Sequence, residues 1–104
     1  MLVNIFTIFD EKARAYLPPF YQPEIAQAHR SFGDAVNDPE TAFYKHPSDY
    51  TLFHIGSFDN ETGKISYSEH SAVVANGAEL KNRQTDYVDD EINGATPIQS
   101  GSKN

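Results

Sequence analysis

A hairpin signal spans His46–Ile65, "HPSDYTLFHIGSFDNETGKI", and constrains the fold more than any other stretch of the 104-residue chain. The segment Tyr50–Phe58 is rich in Tyr, Thr, Phe and Ile, which favour strands. A tight turn is predicted at "DNETG", because Asp59 can accept backbone N–H groups two or three residues on and Gly63 can take a positive φ. Lys64–Ser68 is the predicted return strand. The rest of the chain must therefore pack around an antiparallel pair.

The segments before the hairpin predict one strand and one main helix. Leu2–Phe9, "LVNIFTIF", has apolar side chains at both parities, which is typical of a central strand buried on both faces. The segment "PEIAQAHRSFGDAVNDP" predicts the main helix, with Pro23 in its first turn. Its apolar stripe consists of Ile25, Ala28, Phe32 and Val36. Asp38 is predicted to cap a second short helix that ends near Lys45.

A surface loop is predicted between the first strand and the main helix, in "DEKARAYLPPFYQP". Asp10 is expected to cap one short helical turn through Ala15. Pro18 and Pro19 then force an extended path, and neither offers an N–H group to a ladder. We therefore expect this segment to lie over the sheet rather than to pair with it.

The pattern predicts the α+β class: a small, mostly antiparallel sheet of three or four strands, with the main helix on one face and a short second helix. The length predicts a single domain, residues 1–80. Its last segment, "SAVVANGAEL", predicts one or two edge strands with a turn at Asn76-Gly77. Residues 81–104 are polar and predict a flexible tail. Because a small sheet leaves an edge that must be protected, we expect a homodimer or larger homo-oligomer.

Composition excludes several classes of protein. The chain has no Cys, which excludes disulfides and Cys-based zinc or redox sites and fits a reducing cytoplasm. Its net charge is −7 and it has no basic block, so duplex DNA and anionic membranes are poor partners. The four His lack the spacing of a metal site, and no nucleophile or phosphate-binding motif occurs. We therefore predict no metal, no cofactor and no enzymatic activity.

The N-terminal segment is not typical of a targeting signal. It is apolar for nine residues and then acidic, without a basic leader or a small-residue cleavage motif. It is also too short to span a bilayer. A soluble intracellular protein is the expectation.

The segment "KARAYLPPFY" is the candidate binding site. Its cations and aromatic residues are Lys12, Arg14, Tyr16, Phe20 and Tyr21. Sequence-tolerant binders of single strands stack bases on exposed aromatic rings and hold phosphates with a few cations. Two other interpretations stay open: Phe20 and Tyr21 cover the sheet while the cations are solvated, or the proline-aromatic loop docks a protein. Arg30, on the main helix, is the weaker phosphate candidate and fits a solvent-facing or ion-pair residue better.

Four stretches carry a family resemblance: "FTIFDEKARAYLPPF", "AHRSFGDAVNDPET", "HPSDYTLFHIGSFDNETGKI" and "NGAEL". In this order they resemble the small nonstructural protein of gokushoviruses, tailless icosahedral phages with circular single-stranded DNA. The resemblance runs from about Val3 to Leu80. It implies a protein made in the host bacterial cytoplasm, kept out of the virion and acting in genome replication or packaging. Such proteins are described as DNA-associated, or as counterparts of the microvirus protein that switches replication toward packaging.

The resemblance offers no catalytic motif to carry over, so we expect a non-enzymatic accessory protein. Two mechanisms compete. In the first, single-stranded DNA binds directly to the aromatic loop and the sheet face. In the second, the protein is an adaptor that docks on a replication initiator, a host helicase or a procapsid. The charge of −7 favours the adaptor, whereas the aromatic surplus and the phage context favour DNA.

Overall fold

Residues 1–82 are described by the computed structural model. They form a five-stranded antiparallel sheet and three helices, so the predicted α+β class is confirmed, with more strands than expected. The elements are β1 (Leu2–Asp10), β2 (Ala15–Tyr16), β3 (Phe20–Gln22), α1 (Ile25–Val36), α2 (Ala42–Lys45), β4 (Tyr50–Asp59), β5 (Ile65–Asn76) and α3 (Gly77–Leu80), with a 3-10 turn at Pro47–Asp49. The predicted tail, 81–104, lies outside the described residues except for Lys81 and Asn82.

The first strand is central, as its two-sided apolar pattern predicts. On one side β1 pairs with β4, from Leu2↔Asp59 to Asp10↔Tyr50. On the other side it pairs with β2 and β3. Residues 5–8 are buried. A strand enclosed in this way needs apolar side chains on both faces, which is why its sequence does not alternate.

The segment after β1 is not a surface loop, and that prediction is wrong. Its two short strands pair with β1 at Phe9↔Tyr16 and Ile5↔Tyr21. Pro18 and Pro19 lie in the gap between the two strands. Proline removes a ladder donor only where it stands, so the residues on either side of the pair remain free to pair.

The predicted helical turn at Asp10 is also wrong. The Asp10 carboxylate accepts hydrogen bonds from the backbone N–H groups of Lys12 (3.0 Å) and Ala13 (3.2 Å). The result is a turn that leads directly into β2, with Arg14 at φ 57°. Pairing of β2 with β1 is favoured over a single helical turn. An isolated turn has the free-energy cost of helix nucleation without the hydrogen bonds that elongation would add.

The core lies between α1 and one face of the sheet. Its buried members are Phe6, Ile8, Ala28, Phe32, Val36, Leu52, Ala75 and Leu80. Ile25 was predicted in this stripe, but it is 45% exposed. The reason is the position of the helix start: Glu24 is the N-cap, and its N–H donates to Gln27 Oε1 at 3.0 Å. Ile25 is therefore the first residue of the helix, a turn away from the core contacts.

The short second helix exists but begins later than predicted. Thr41, not Asp38, is its N-cap, and Thr41 Oγ1 accepts a hydrogen bond from Tyr44 N at 3.1 Å. The Asp38 carboxylate instead accepts from Glu40 N at 2.9 Å and forms a turn ahead of the helix. Asp and Thr are both good helix caps. Here Asp38 stabilises the turn, and Thr41 caps the helix that follows it.

The hairpin is confirmed, including its glycine. Gly63 has φ 79°, and its N–H donates to Asp59 O at 2.7 Å. The Asp59 carboxylate accepts a hydrogen bond from Glu61 N at 2.9 Å. Backbone hydrogen bonding, from Glu61 first, lowers the pKa of Asp59. Turn chemistry within five residues thus fixes the hairpin.

The return strand is longer than predicted, and it includes the residues that were expected to form separate edge strands. β5 continues to Asn76, with Leu52↔Ala75 among its pairs. Its register against β4 shifts twice, and residues 68–71 have no partner on β4. Asn76-Gly77 does not join two strands, because the Asn76 side chain caps α3 by accepting from Ala78 N at 2.8 Å.

No helix within residues 1–82 is long and apolar enough to cross a membrane.

Candidate nucleic-acid interface

One face of the sheet packs against α1, and the other has no helix over it among residues 1–82. We call this second surface the open face. Strand register places on it Val3, Ile5, Thr7, Phe9, Tyr16, Tyr21, Phe53, Gly56, Phe58, Ile65, Tyr67 and Val73. The buried positions on this face are Ile5 and Thr7 of β1 and Gly56 of β4. A face this apolar is typical of an interaction surface.

Aromatic rings form two clusters on the open face. In the first, Tyr16 lies 4.7 Å from Phe9 and 6.1 Å from Phe53 between ring centroids. In the second, Tyr21 lies 6.1 Å from Phe58. The two tyrosines pair with residues of β1 that are four positions apart. Their backbones are therefore separated by about 13 Å along the strand.

Each tyrosine is held by an aromatic neighbour and still exposed to solvent. Tyr16 is 61% exposed and Tyr21 is 48% exposed. A ring whose orientation is fixed loses little conformational entropy when a planar group stacks on it. Tyr16 and Tyr21 are therefore the rings of the open face best prepared for stacking.

A groove of about 330 Å³ lies beside the second cluster. It is lined by Val3, Tyr21, Phe58 and Ile65. All four are apolar or aromatic, so the groove can hold an apolar side chain or the face of a base, but it offers little hydrogen-bonding specificity.

The structure brings together four of the six predicted site residues. Lys12 and Arg14 are exposed in the turn that leads to Tyr16. Tyr16 and Tyr21 lie on the open face. Lys12 and Arg14 thus directly precede Tyr16 in the chain, and Tyr21 lies about 13 Å from Tyr16 along β1 on the same face.

The other two predicted site residues lie elsewhere. Phe20 points to the helix side, where its ring stacks on Phe6 with 5.7 Å between centroids. Successive side chains of a strand point to opposite faces, so Tyr21 and Phe20 cannot share a surface. Arg30 is exposed on α1, on the side of the sheet away from Tyr21.

Four aromatic residues of the open face were not predicted as part of a site: Phe9, Phe53, Phe58 and Tyr67. Strict alternation along β4 would place Phe53 and Phe58 on opposite faces. Ile55 has no partner on β1, and this bulge resets the alternation so that both rings share a face. The only available sequence signal is Gly56, since a glycine inside a strand often marks a bulge.

Charge is distributed unevenly between the first three strands and the helical layer. Residues 1–22, which form β1 to β3, contain two acids and two bases. Residues 23–49, which form α1 and α2 and their connections, contain five acids and two bases. A polyanion is therefore repelled less by the β1–β3 side than by the helical layer.

His54 has a structural environment. Its Nε2 lies 2.9 Å from Asn4 Oδ1, and its ring centroid lies 5.2 Å from that of Phe6. Within residues 1–82, no group of three or more His, Cys, Asp or Glu is placed to hold a metal ion.

The fold and its open face define a small α+β protein with a sheet covered by helix on one side and presenting aromatic rings on the other. The family described as Phage ORF5 protein matches residues 3–80, so the chain belongs to that family. The predicted phage origin is thereby confirmed. No curated protein and no solved structure matches the chain.

Proposed function

We propose that this phage protein is a non-enzymatic accessory factor that binds single-stranded DNA on its open face. The observation that carries the proposal is the pair Tyr16 and Tyr21, each held by an aromatic neighbour and about half exposed. The resemblance to the gokushovirus nonstructural protein supports a role in genome replication or packaging, in the host bacterial cytoplasm and outside the virion.

Binding would combine stacking with a few phosphate contacts. Base–aromatic stacking contributes about 1–3 kcal/mol per base and tolerates any sequence, because every base has a π-face. Lys12 and Arg14 lie in the turn that leads to Tyr16 and are exposed, where they can hold phosphates of a strand stacked on that ring. The apolar groove beside Tyr21 accepts a second base without selecting its identity.

The test is a titration of the protein against a fluorescently labelled oligothymidylate, followed by anisotropy at low salt. Tyr16→Ala and Tyr21→Ala should each weaken binding by about 1–3 kcal/mol, since each removes one stacking platform. Tyr44→Ala is the matched control, because Tyr44 is an exposed tyrosine on α2, in the helical layer. It should bind as the wild type does.

Two outcomes contradict the proposal. One is the absence of binding by the wild type even at low salt. The other is an equal loss in Tyr44→Ala and in the two open-face variants. Circular dichroism of each variant separates lost binding from lost folding.

The adaptor is the second candidate, favoured by the net charge of −7 and the apolar groove. In this case a side chain of a replication initiator, a host helicase or a procapsid protein would occupy the groove. Calorimetry with each purified candidate tests it. Ile65→Glu, which places a charge at the groove, should abolish binding, whereas Glu40→Ala, at an exposed position of the helical layer, should not.

A further inference from the structure

The first aromatic cluster of the open face, formed by Phe9, Tyr16 and Phe53, lies at the end of the sheet where α3 begins. One row of paired residues crosses four strands there, in the order Tyr16, Phe9, Thr51 and Asn76. Three steps between neighbouring strands separate Tyr16 from Asn76 by about 14 Å. Asn76 is the N-cap of α3, which ends at Leu80. The chain that follows α3 therefore starts near this cluster.

Residues 83–104 are long enough to reach the cluster. An α-helix rises about 1.5 Å per residue, which puts Asn82 no more than about 12 Å from Asn76 and about 26 Å from Tyr16. An extended chain covers about 3.3–3.6 Å per residue, so residues 86–92 can lie at any distance up to about 33 Å from Asn82. The cluster is within this reach, even by a path around the end of the sheet.

The sequence of residues 86–92 is "DYVDDEI", in which four of the seven residues are acidic. Tyr87 is the one aromatic residue after Leu80. Single-stranded DNA also combines planar rings with closely spaced negative charges, and its binders use aromatic platforms and cations for these two kinds of group. The segment thus has the same two kinds of group that the proposed DNA site would recognise.

Lys12 and Arg14 are the cations that can receive these acids. Both are exposed, and neither forms an ion pair with another residue of 1–82. A guanidinium group binds a carboxylate in the same bidentate way as it binds a phosphate. Two acids share the turn, but the Asp10 carboxylate already accepts hydrogen bonds from two backbone N–H groups. Glu11 is then the opposing charge, and the two cations outnumber it.

We propose that residues 86–92 dock on the open face of their own molecule, over the first aromatic cluster and the Lys12–Arg14 turn, and compete there with single-stranded DNA. The Tyr87 ring contacts Phe53 and Tyr16, and the acids that follow it pair with the two cations. The competition rests on the DNA binding proposed above, whereas the docking does not depend on it.

Covalent connection favours the segment of the same molecule over that of a second copy. A group joined through a short linker has an effective concentration of about 1 mM. If the free segment binds with a Kd of about 0.2 mM, its docking weakens DNA binding about sixfold. Weak docking is therefore enough to regulate the site.

A spin label tests the docking on the full chain without DNA. Asn93→Cys supplies a single thiol, because the chain has no Cys of its own. A nitroxide attached to this thiol broadens nearby amide signals in NMR spectra of the isotope-labelled protein. The amides of Arg14, Tyr16 and Phe53 should broaden, whereas that of Arg30, across the sheet, should not.

The matched control carries the same label on a chain whose segment is neutralised by Asp86→Asn, Asp89→Asn, Asp90→Asn and Glu91→Gln. Broadening at Tyr16 should disappear in this chain. Equal broadening in the two chains, or broadening that is strongest on α1, overturns the docking. Broadening of an isotope-labelled chain by a spin label on a second chain also overturns it, because the segment then docks on another copy.

Titration with the labelled oligothymidylate tests the competition. Asp89→Asn combined with Asp90→Asn should raise the DNA affinity several-fold, up to about sixfold. The matched control, Glu40→Gln with Glu69→Gln, removes the same charge from exposed positions in the helical layer and on the β5 margin, opposite β2. It should change the affinity far less. Equal gains in the two variants overturn the competition, because net charge alone would explain them.

The docking and the DNA binding fail separately in these experiments. If the spin label reports docking but neither the wild type nor the neutralised chain binds DNA, the proposed function and the competition are wrong, while the docking stands. If the wild type binds DNA and the label reports no docking, this inference is wrong and the DNA binding stands.

Discussion

Gly63 is the residue on which the hairpin turn depends most directly. Its φ is 79°, and a Cβ added there would meet no atom within 4 Å. The cost of a side chain is therefore one of backbone conformation and not of contact. Gly63→Val should lower the free energy of unfolding by about 1–2 kcal/mol, because β-branched residues strongly disfavour positive φ. Urea denaturation of the two proteins measures this directly.

Gly63→Asn provides the control, since Asn tolerates the left-handed region better than other residues with side chains. It should lose less stability than Gly63→Val. An unchanged urea midpoint in Gly63→Val would refute the role assigned to this glycine.

At the same scale, sequence reasoning succeeded where the cause is local. The Asp59 and Gly63 roles follow from turn chemistry within five residues. Tyr21 and Phe20 could not both be site residues, because adjacent strand residues point to opposite faces. The joining of Phe53 and Phe58 on one face depends on the unpaired Ile55. A bulge is a property of two paired strands, so it is hard to predict from one of them.

Among the elements, α3 begins with a capping box in which Asn76 makes most of the contacts, and Glu79 Oε1 accepts a hydrogen bond from Asn76 N at 3.1 Å. Asn76 Oδ1 accepts from Ala78 N, while Asn76 Nδ2 lies 3.0–3.2 Å from Ser48 O, Tyr50 O and Thr51 Oγ1. The side chain thus joins the end of β5, the start of β4 and the first turn of α3. Asn76→Ala should cost about 2–3 kcal/mol in thermal or urea denaturation, through the lost cap and the unpaired acceptors.

Asn76→Asp separates the two roles. Asp is as good an N-cap as Asn, but its second oxygen would face the carbonyl oxygens of Ser48 and Tyr50. It should therefore be no more stable than Asn76→Ala. Full stability of Asn76→Asp would mean that capping alone matters at this position.

The elements that sequence reasoning misjudged share a physical cause. From the sequence, Pro18 and Pro19 are expected to prevent pairing over a whole segment, yet they interrupt it only between Tyr16 and Phe20. The Asn76-Gly77 pair predicts a turn between strands, but the same residue types also cap helices. Whether such residues form a turn or a helix cap depends on which strand or helix lies beside them in the folded protein. The local sequence does not contain these tertiary contacts.

For the whole molecule, the charge pattern predicts the salt dependence of DNA binding. Three cations flank the open face: Lys12 and Arg14 at one end of the sheet and Lys64, beside Ile65, at the other. Single strands give a slope of log K against log salt of about −0.7 per phosphate contact. The expected slope is therefore shallow, about −2. Lys12→Ala should flatten it by about 0.7, as measured by anisotropy at several salt concentrations.

Arg30→Ala is the control for this measurement, because Arg30 lies on α1, across the sheet from Tyr21. It should leave the slope unchanged, and the tyrosine variants should lose affinity equally at all salt concentrations. A slope several times steeper, or a flattening in Arg30→Ala, would place the strand on the helical layer instead.

The interrupted edge formed by β2 and β3 limits how far such molecules can assemble. Those strands are two and three residues long, and the prolines between them offer no donors. The margin formed by β5 is interrupted as well, because residues 68–71 have no partner on β4 and bulge between Tyr67 and Val73. Neither margin therefore offers the long, flat run of backbone that another strand needs, so edge-to-edge stacking of these sheets into a fibre is blocked on both sides.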